Sequence, residues 1–467
     1  MKILLIKAAS TRYYGQTVAP MGLLYLSAAL KRAGHTDIKL LHLDLEKLTE
    51  EALGRRIAGY GPDLIGISAI TAESVSMHRV AALAKSLLPA VPVVVGGAHP
   101  TGYTDDCLRD PNIDAAVRGE GERTFLEVAE AAGRKGSFGA IAGLSRREGG
   151  AVVHNPAREF IADLDSLPMP DWELADLGRY SGYIPHSPFL HTRKYANIVT
   201  SRGCPFSCTF CHNVMGKKFR AHSPERVISE LRHIKETLGI TDIEVSDDVF
   251  NLDLARAKAI MRGIIDAAPG LSLFLSNGVR ADALDEELIT LMRRAGVRFL
   301  CIAVETASPR LQRGIKKNVD LEKTRRIAAL LVSNRIFVNG FFIFGLPGET
   351  RKELCLTMKY LWSLPIHTCM ISFCMGYGGT ELALTLPREK LISPEADTVS
   401  FTSARPERVV SDLPAWQLAA ARQAANFVFY FLNPARIYRI FRDMPYREPR
   451  VLRLLLAKLL TRTIFPR

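Results

Sequence analysis

Three cysteines, Cys204, Cys208 and Cys211, lie within eight positions of one another in the stretch SRGCPFSCTFC. They follow a predicted strand directly and have the spacing C-x3-C-x2-C. Three thiolates can bind three irons of a [4Fe–4S] cluster, and the fourth iron then keeps an open coordination position. The motif therefore predicts an iron–sulfur site that can bind a further molecule.

Two other kinds of site could use the same thiols. A structural zinc site needs a fourth ligand, usually from a second paired motif, and His212 is too close to Cys211 in the chain to supply it easily. A redox-active C-x-x-C pair could use Cys208 and Cys211, but this leaves Cys204 without a role. We favour the cluster, with a zinc site, a redox pair and incidental thiols as the alternatives.

The elements around the cysteines alternate between apolar strands and amphipathic helices. Helices are predicted at Pro224–Leu238, Leu254–Ala268, Asp285–Ala295 and Leu321–Asn334. Residues 196–385 are therefore predicted to form a partial (β/α)6 barrel of the TIM type with six parallel strands. Chemistry in such a barrel takes place at the carboxyl ends of the strands, and the cysteine loop follows the first of them.

Residues 1–150 show a separate alternation of continuous Val/Ile/Leu strands with helices, which predicts a doubly wound, Rossmann-like parallel sheet. Ligands bind such sheets at the carboxyl ends of the strands. The residues that the sequence places at these ends are Ser68, Thr71, Gly96, Gly97, Gly119 and Glu120. The proline-rich residues 151–195 are predicted to be a linker, and residues 386–467 a basic helical region.

The formal net charge of +13 is concentrated at the carboxyl end, where residues 415–467 contain ten Lys or Arg against Asp443 and Glu448. Six of these cations alternate with apolar residues at helical spacing: Arg436, Arg439, Arg442, Arg450, Arg453 and Lys458. Such a segment could contact an anionic membrane surface. The alternative is that its apolar face packs on the barrel. No nucleic-acid partner is expected.

The chain of 467 residues has eight cysteines, which is too few for a disulfide framework. The five outside the loop are interpreted as small buried residues: Cys107, Cys301, Cys355, Cys369 and Cys374. The first apolar run is shorter than a signal peptide requires, and no run is long enough to span a membrane. We expect a cytoplasmic protein, with possible contact to the inner face of the membrane.

The cysteine motif at the start of a (β/α) barrel resembles that of the radical S-adenosylmethionine (radical SAM) enzymes. The resemblance continues through IEVSDDVF, SNGVRAD, CIAVETAS and NGFFIFGLPGET. It implies that the open iron binds S-adenosylmethionine, whose reductive cleavage gives a 5′-deoxyadenosyl radical. It also implies contacts to S-adenosylmethionine from Phe210, Asp247, Asn277, Arg280 and Glu305.

These five residues are expected to act in different ways. Phe210 holds the position of the aromatic residue that flanks the adenine in this family. Arg280 could pair with the S-adenosylmethionine carboxylate in a fork geometry. For Asp247 and Asn277 a structural role is an equal alternative.

The first domain, placed directly before such a barrel, resembles the cobalamin-binding domain of the cobalamin-dependent radical SAM class. The stretches that carry this resemblance are APMGLLYLSAALKRAGH, LIGISAITAES, VVVGGAHPT and VRGEGERTF. Small residues at the strand ends permit close approach of the cofactor to the backbone. The ligand motif D-x-H-x-x-G is absent from the sequence, and His35, His42 and His99 are not expected to bind cobalt.

The resemblance implies a methyltransferase that transfers a methyl group from methylcobalamin to an unactivated carbon of a small-molecule substrate. The basic C-terminal segment favours a lipid or isoprenoid as that substrate. It also implies a reducing electron donor such as flavodoxin or ferredoxin. Ring formation, ring contraction or oxygen insertion with the same cofactors is the first alternative. A non-catalytic iron–sulfur or zinc protein is the second.

Overall fold

The computed structural model of the protein describes residues 1–10, 17–183, 185–190, 193–212, 214–392, 410–449 and Arg453. The chain divides into two compact units. The first is built mainly from Met1–Tyr180, and the second mainly from Ser181–His212, Lys217–Leu391 and the C-terminal helices. Among the described residues, no helix combines the length and apolar character needed to cross a bilayer.

The first unit contains one seven-stranded sheet with helices on both faces. Its strands are β1 Ile3–Lys7, β2 Ile38–His42, β3 Leu64–Ser68, β4 Val93–Gly96, β5 Ala115–Val117, β6 Leu144–Glu148 and β7 Ala151–His154. Its helices are α1 Met21–Arg32, α2 Leu43–Glu46, α3 Glu50–Tyr60, α4 Ser74–Leu87, α5 Ala98–Gly102, α6 Thr104–Arg109 and α7 Glu122–Gly133.

The strands of this sheet are apolar at successive positions because both of its faces are covered. Leu4 and Ile6 of β1 belong to one hydrophobic cluster, whereas Ile3 and Leu5 belong to another on the opposite face. The strand order is β2-β1-β3-β4-β5-β6-β7, and the first five strands are parallel. The order reverses between β1 and β3, which is where doubly wound sheets bind their ligands.

The sheet continues further along the chain than the sequence predicts. Strand β6 pairs antiparallel with β5, and β7, which lies inside the predicted linker, pairs antiparallel with β6. The two glycines between them, Gly149 and Gly150, have φ angles of 57° and 86°, as a tight hairpin turn requires. The linker prediction is therefore wrong at Ala151–His154, because the Gly-Gly turn was not interpreted as a hairpin.

The second unit contains a six-stranded parallel sheet. The strands of this unit are β8 Tyr195–Ile198, β9 Ser201–Arg202, β10 Arg220–Ala221, β11 Asp242–Val245, β12 Ser272–Val279, β13 Val297–Glu305, β14 Phe337–Phe344 and β15 Thr368–Phe373. Its helices are α8 Pro224–Glu236, α9 Leu254–Ala267, α10 Glu286–Ala295, α11 Pro309–Gly314, α12 Leu321–Ser333, α13 Arg351–Ser363, α14 Glu381–Thr385, α15 Ala415–Phe431 and α16 Pro434–Asp443.

The order β8-β11-β12-β13-β14-β15 follows the chain, so each strand pairs with the next strand of the sheet. This is the predicted partial (β/α)6 barrel, and the mixed α/β fold class is confirmed. The short strands β9 and β10 pair with each other outside this sheet. Because β9 follows β8 directly, this small ribbon holds the start of the cysteine loop.

The last two described helices pack on the second unit through a buried arginine. Arg436 of α16 is only 1% exposed and donates hydrogen bonds to the carbonyl oxygens of Phe429, Trp362 and Leu364 at 2.7–3.2 Å. Its guanidinium lies 3.6 Å from the centre of the Phe429 ring. Arg436 is therefore structural and unavailable to a membrane. Arg450 and Lys458 lie outside the described residues.

Candidate active site

The cysteine loop is held at its middle by the backbone of two neighbouring segments. The amide of Thr209 donates to the carbonyl of Ile315 at 3.1 Å, and the amide of Leu382 donates to the carbonyl of Thr209 at 2.8 Å. Within the loop, the amide of Cys211 donates to the carbonyl of Cys208 at 3.1 Å. Backbone hydrogen bonds therefore hold the chain at Cys208, Thr209 and Cys211.

The three thiols fit a cluster better than a single ion. Cys208 is buried, Cys204 is half-buried and Cys211 is open to solvent. Three thiolates are the ligand set of a [4Fe–4S] cluster with one open iron, whereas a structural zinc ion needs a fourth protein ligand. Burial raises the pKa of the Cys204 and Cys208 thiols, so their deprotonation is coupled to metal binding.

Asp247, at the end of β11, fixes the base of the loop. Its carboxylate accepts hydrogen bonds from the amide of Thr200 at 2.6 Å, the hydroxyl of Thr200 at 2.5 Å and the hydroxyl of Ser201 at 2.7 Å. Burial raises the pKa of Asp247, against the effect of these hydrogen bonds and of Arg256. Asp247 therefore has a structural role at the base of the loop, and its contact with S-adenosylmethionine stays a prediction.

Arg280, after β12, also supports the loop. Its guanidinium forms a fork with the carboxylate of Asp282, at 2.9 and 3.1 Å, and donates to the carbonyls of Lys317 and Asn318. It lies 4.1 Å from the centre of the Phe206 ring, which belongs to the cysteine loop. The fork predicted for a carboxylate ligand is thus engaged within the protein, because Asp282 is only two residues away.

Glu305, the last residue of β13, is held in a strained conformation at the same edge of the sheet. Its φ angle is 69°, next to an irregularity in the pairing of β13 with β14, and such a backbone costs about 1 to 3 kcal/mol. Its carboxylate accepts a hydrogen bond from the amino group of Lys317 at 3.2 Å. Both side chains are largely buried.

Lys317 is the residue of this site that the sequence analysis missed. Burial opposes its charge, but Glu305 and the thiols of Cys208 and Cys211 outweigh burial and raise the pKa of the Lys317 ammonium. A cation is thus kept beside the cysteine loop. Lys317 follows α11 rather than a strand, so a search restricted to strand ends could not find it; its position 12 residues after Glu305 is the only sequence signal.

The two other residues predicted to contact S-adenosylmethionine differ in exposure. Asn277 is exposed and donates to the carbonyl of Ser246 at 2.9 Å, so it links the ends of β12 and β11. Phe210 is half-buried against a hydrophobic cluster that includes Leu311 and Leu346. The structure therefore brings Glu305, Lys317 and Arg280 to the cysteine loop, with Asn277 at the adjacent strand end.

In the first unit, small residues meet at the carboxyl edge of the sheet. Ser68 and Gly96 are register partners on β3 and β4. A Cβ atom on Gly97 would lie 2.9 Å from the carbonyl oxygen of Ala69, and the φ angle of Gly97 is 100°. Glycine is thus required at position 97 by the fold itself. At Gly96 a Cβ would lie 3.6 Å from the Val117 side chain, an ordinary contact, so the fold does not require glycine there.

Thr101 connects the turns that follow β4 and β5, although the sequence analysis did not select it. Its hydroxyl donates to the carbonyl of Gly97 at 2.8 Å and accepts from the amide of Gly119 at 3.1 Å. Gly119 has a φ angle of 72°. Ser68, Gly96, Gly97 and Gly119 therefore form one accessible edge, whose small side chains fit the backbone approach of a large planar cofactor.

Two other residues predicted at this edge have different surroundings. Thr71 begins a single turn of 3-10 helix, Thr71–Glu73, and is half-buried. Glu120 is buried, and its carboxylate accepts a hydrogen bond from the amide of Ile161 at 2.7 Å. Glu120 thus fastens the segment that follows the sheet, because the chain returns to this edge after β7.

Three histidines of the first unit, His35, His42 and His99, occupy different environments. His42 is buried, with Nδ1 2.9 Å from the hydroxyl of Tyr180, and burial together with Lys7 and Arg179 lowers its pKa to about 3. His99 is buried and stacks on Tyr103. His35 lies in the half-exposed turn after α1. His42 is thus committed to Tyr180 rather than to a metal.

Two protein families match the chain, one for each unit. The B12 binding domain matches residues 9–129, and the Radical SAM superfamily matches residues 198–361. The second range contains the cysteine loop, Glu305 and Lys317. The first contains Gly96, Gly97 and Gly119 at the carboxyl edge of the doubly wound sheet, termed the glycine edge.

Proteins of known sequence match over nearly the whole chain. An uncharacterized methyltransferase of Pyrococcus horikoshii is 32% identical over 98% of each chain. The hopanoid C-3 methylase of Methylococcus capsulatus is 30% identical over 78% of this chain and 67% of its own. Among solved structures, the radical S-adenosylmethionine methyltransferase TsrM of Kitasatospora setae, with cobalamin and a [4Fe–4S] cluster bound, has the same fold. Its TM-score is 0.73 at 19% identity, and the match covers 94% of this chain and 90% of TsrM.

Replacement of the three loop cysteines is expected to remove the iron site. After anaerobic reconstitution with iron and sulfide, the unchanged chain should bind about four irons. The combined variant Cys204→Ala, Cys208→Ala, Cys211→Ala should bind none, because no other residue of the loop supplies thiolates. Cys355→Ala, which removes an exposed thiol outside the loop, is the matched control. Iron and sulfide analysis decides the matter: equal iron in the triple variant would contradict the assignment.

Proposed function

The chain belongs to the cobalamin-dependent radical SAM enzymes, and from this premise we propose that it is a methyltransferase acting on an unactivated carbon. The resemblance in the sequence is thereby confirmed at the level of the family. The observation that supports methyl transfer most directly is the 32% identity with a methyltransferase over 98% of both chains. The radical chemistry is assigned to the cysteine loop and the methyl carrier to the glycine edge of the first unit.

The cofactors supply the difficult chemistry, and the protein binds and orients them. When bound, the cluster and cobalamin provide, respectively, the electron that cleaves S-adenosylmethionine and the carrier of the methyl group. We propose Cys204, Cys208 and Cys211 as the cluster ligands. For cobalamin we propose Ser68, Thr71, Gly96, Gly97 and Gly119, with Glu120 supporting this edge from behind. A donor such as flavodoxin or ferredoxin would supply the electron.

Lys317 and Glu305 are proposed to bind the methionine end of S-adenosylmethionine. That end carries one amino and one carboxylate group. The Lys317 ammonium could bind the carboxylate, and the Glu305 carboxylate could bind the amino group. The strained backbone of Glu305 and the raised pKa of Lys317 are features typical of functional residues. Asn277 and Phe210 are proposed to contact the rest of the molecule, whereas Asp247 and Arg280 position the loop.

A different outcome of the same radical is the second candidate. Ring formation, ring contraction or oxygen insertion would use the same cluster and the same residues. Only methyl transfer consumes the methyl group of one S-adenosylmethionine, and it therefore leaves S-adenosylhomocysteine beside the 5′-deoxyadenosine that every radical outcome gives. The two candidates thus differ in their products and not in their sites.

A lipid or isoprenoid substrate is proposed from the surface of the C-terminal helices. Trp416, Leu432 and Tyr438 are 70%, 64% and 66% exposed, and four more large apolar residues of α15 and α16 are also exposed: Phe427, Phe431, Ile437 and Phe441. A surface with this many apolar side chains indicates contact with another apolar phase. We propose that this face, termed the α15–α16 face, rests on an anionic membrane.

An arginine-lined cavity next to α16 supports an anionic partner. The cavity has a volume of about 400 Å³ and is lined by Arg293, Arg298, Arg335, Arg442, Asp443, Met444 and Pro445. Burial, together with the neighbouring Arg298 and Arg335, lowers the pKa of Arg293. A bound phosphate group would relieve this repulsion between like charges, and arginine binds phosphate in a bidentate manner.

Turnover of the reconstituted chain with trideuteriomethyl-labelled S-adenosylmethionine and a membrane lipid extract is expected to give S-adenosylhomocysteine and 5′-deoxyadenosine together. One lipid should gain a trideuteriomethyl group, and only when cobalamin is added. Mass spectrometry of nucleosides and lipids measures all three products. Formation of 5′-deoxyadenosine with a changed lipid but without S-adenosylhomocysteine would favour the second candidate over methyl transfer.

Lys317→Met is expected to weaken the binding of S-adenosylmethionine roughly tenfold or more, because a charged hydrogen bond in a largely buried site is lost. Equilibrium dialysis with labelled S-adenosylmethionine measures this, and iron analysis confirms that the cluster is retained. The adjacent Lys316→Met is the matched control, since Lys316 pairs with Glu381 at the surface. Equal affinity in both variants would exclude Lys317 from the site.

Membrane contact is expected to depend on both the apolar face and anionic lipid. The chain should sediment with vesicles that contain phosphatidylglycerol more than with phosphatidylcholine alone, and the combined variant Trp416→Ser, Tyr438→Ser should bind at least about tenfold more weakly. Leu384→Ser removes an exposed apolar residue outside the α15–α16 face and is the control. Equal binding to both kinds of vesicle, or by the two variants, refutes the proposal.

A further inference from the structure

Three side chains to which neither cofactor assigns a role lie together in the first unit. They are His78 of α4, His99 of α5 and Cys107 of α6, and one ligand atom of each lies within 4.8 Å of the other two. From the sequence, Cys107 was expected to be a small buried residue, and His99 a structural or cobalamin-tail-contacting residue rather than a cobalt ligand. Neither interpretation explains why two imidazoles and a thiol from three different helices converge.

His99 is the residue that most needs an explanation. It has no exposed surface, and among the residues that the structure describes neither its Nδ1 nor its Nε2 has a hydrogen-bond partner. Its ring stacks on Tyr103 with the centroids 5.0 Å apart, and its amide donates to the carbonyl of Ala69 at 3.1 Å, so ring and backbone are both fixed. A buried polar group without partners is costly and rare, unless the site receives a ligand.

His78 is prepared for metal binding by its neighbour Asp110. The Nδ1 atom of His78 donates to the Asp110 carboxylate at 2.6 Å, and this leaves Nε2 with the free lone pair. Asp110 is itself held by the amide and the side chain of Asn112, at 2.9 and 2.8 Å. A carboxylate behind the histidine is the usual arrangement around metal-binding imidazoles.

Cys107 completes a ligand set of two nitrogens and one sulfur. Its side chain is fully buried, and its amide donates to the carbonyl of Tyr103 at 3.0 Å, which fixes the residue on α6. Imidazole and thiolate together suit zinc and similar borderline divalent ions, whereas calcium and magnesium require oxygen ligands. His78 is half-exposed, so an ion and a solvent ligand can enter from its side.

We propose that His78, His99 and Cys107 bind one zinc ion, with Asp110 orienting His78 and solvent in the fourth position. Binding would release the proton of the Cys107 thiol as the zinc–sulfur bond forms, with no change of oxidation state. The ion would join α4, which precedes β4, to α5 and α6, which follow the Gly96–Gly97 turn. It is a different metal site from the cysteine loop and serves the first unit.

The test uses the full chain with Cys204, Cys208 and Cys211 replaced by Ala, so that the cysteine loop cannot bind the probe. Titration with Co²⁺, which reports thiolate coordination by a near-ultraviolet charge-transfer band, should give this band at one ion per chain. Cys107→Ser should lose the band. Asp110→Asn should keep it but bind Co²⁺ about 10- to 100-fold more weakly, because the support of His78 is reduced.

Two further variants separate metal binding from other roles. Cys301→Ser removes a buried thiol of the second unit and should leave the band unchanged. His99→Phe keeps an aromatic ring stacked on Tyr103, so its circular dichroism spectrum should match that of the parent. Because one ligand is lost, the charge-transfer band should disappear. Absence of the band in the parent, or its persistence in Cys107→Ser, overturns the proposal. Hydroxocobalamin binding is measured for the same proteins. If the parent binds no Co²⁺ and His99→Phe no longer binds hydroxocobalamin, the zinc proposal is overturned and His99 belongs to the cobalamin site.

Discussion

The cysteine loop depends on one buried interaction at its base, between the Asp247 carboxylate and Thr200 and Ser201. Nearby, Arg256 donates to the carbonyls of Thr200 and His222 at 2.7 and 2.8 Å. An isolated buried carboxylate would be strongly destabilising, and here three hydrogen bonds and a neighbouring guanidinium offset part of the loss of water. The end of β11 is thereby joined to the segment between β8 and the loop. The position at which the cysteine loop begins is therefore fixed.

The same edge of the barrel separates supporting residues from residues that can meet a ligand. Arg280 forms a fork with Asp282, and it contacts the loop at the ring of Phe206. Glu305 and Lys317 instead pair with each other near the thiols, on a strained backbone that the surrounding sheet must hold in place. Because Arg280 and its hydrogen-bond partners hold the loop in place, Glu305 and Lys317 can keep their charges in a largely buried site.

The first unit uses a related division of roles. Gly97 is demanded by its close contact with Ala69, and Thr101 joins the turns after β4 and β5, so the edge is rigid before any cofactor binds. Helix α4, which precedes β4, and helices α5 and α6, which follow it, carry His78, His99 and Cys107. In the C-terminal helices, Arg436 ties α16 to α15 and α13, whereas other aromatic residues of α15 and α16 are exposed: Trp416, Phe427, Phe431, Tyr438 and Phe441.

Features that depend on neighbours in the chain could be predicted before the structure was known. The cysteine spacing, the strand and helix periods and the small residues at strand ends are local, and they predicted the fold class, the family and the thiols of the cysteine loop. Which polar side chain meets which partner is settled by the folded arrangement. Asp247, Arg280, Glu120 and Arg436 contact structural groups, and Lys317 approaches the thiols, because partners brought together by folding satisfy a buried charge wherever they lie in the chain.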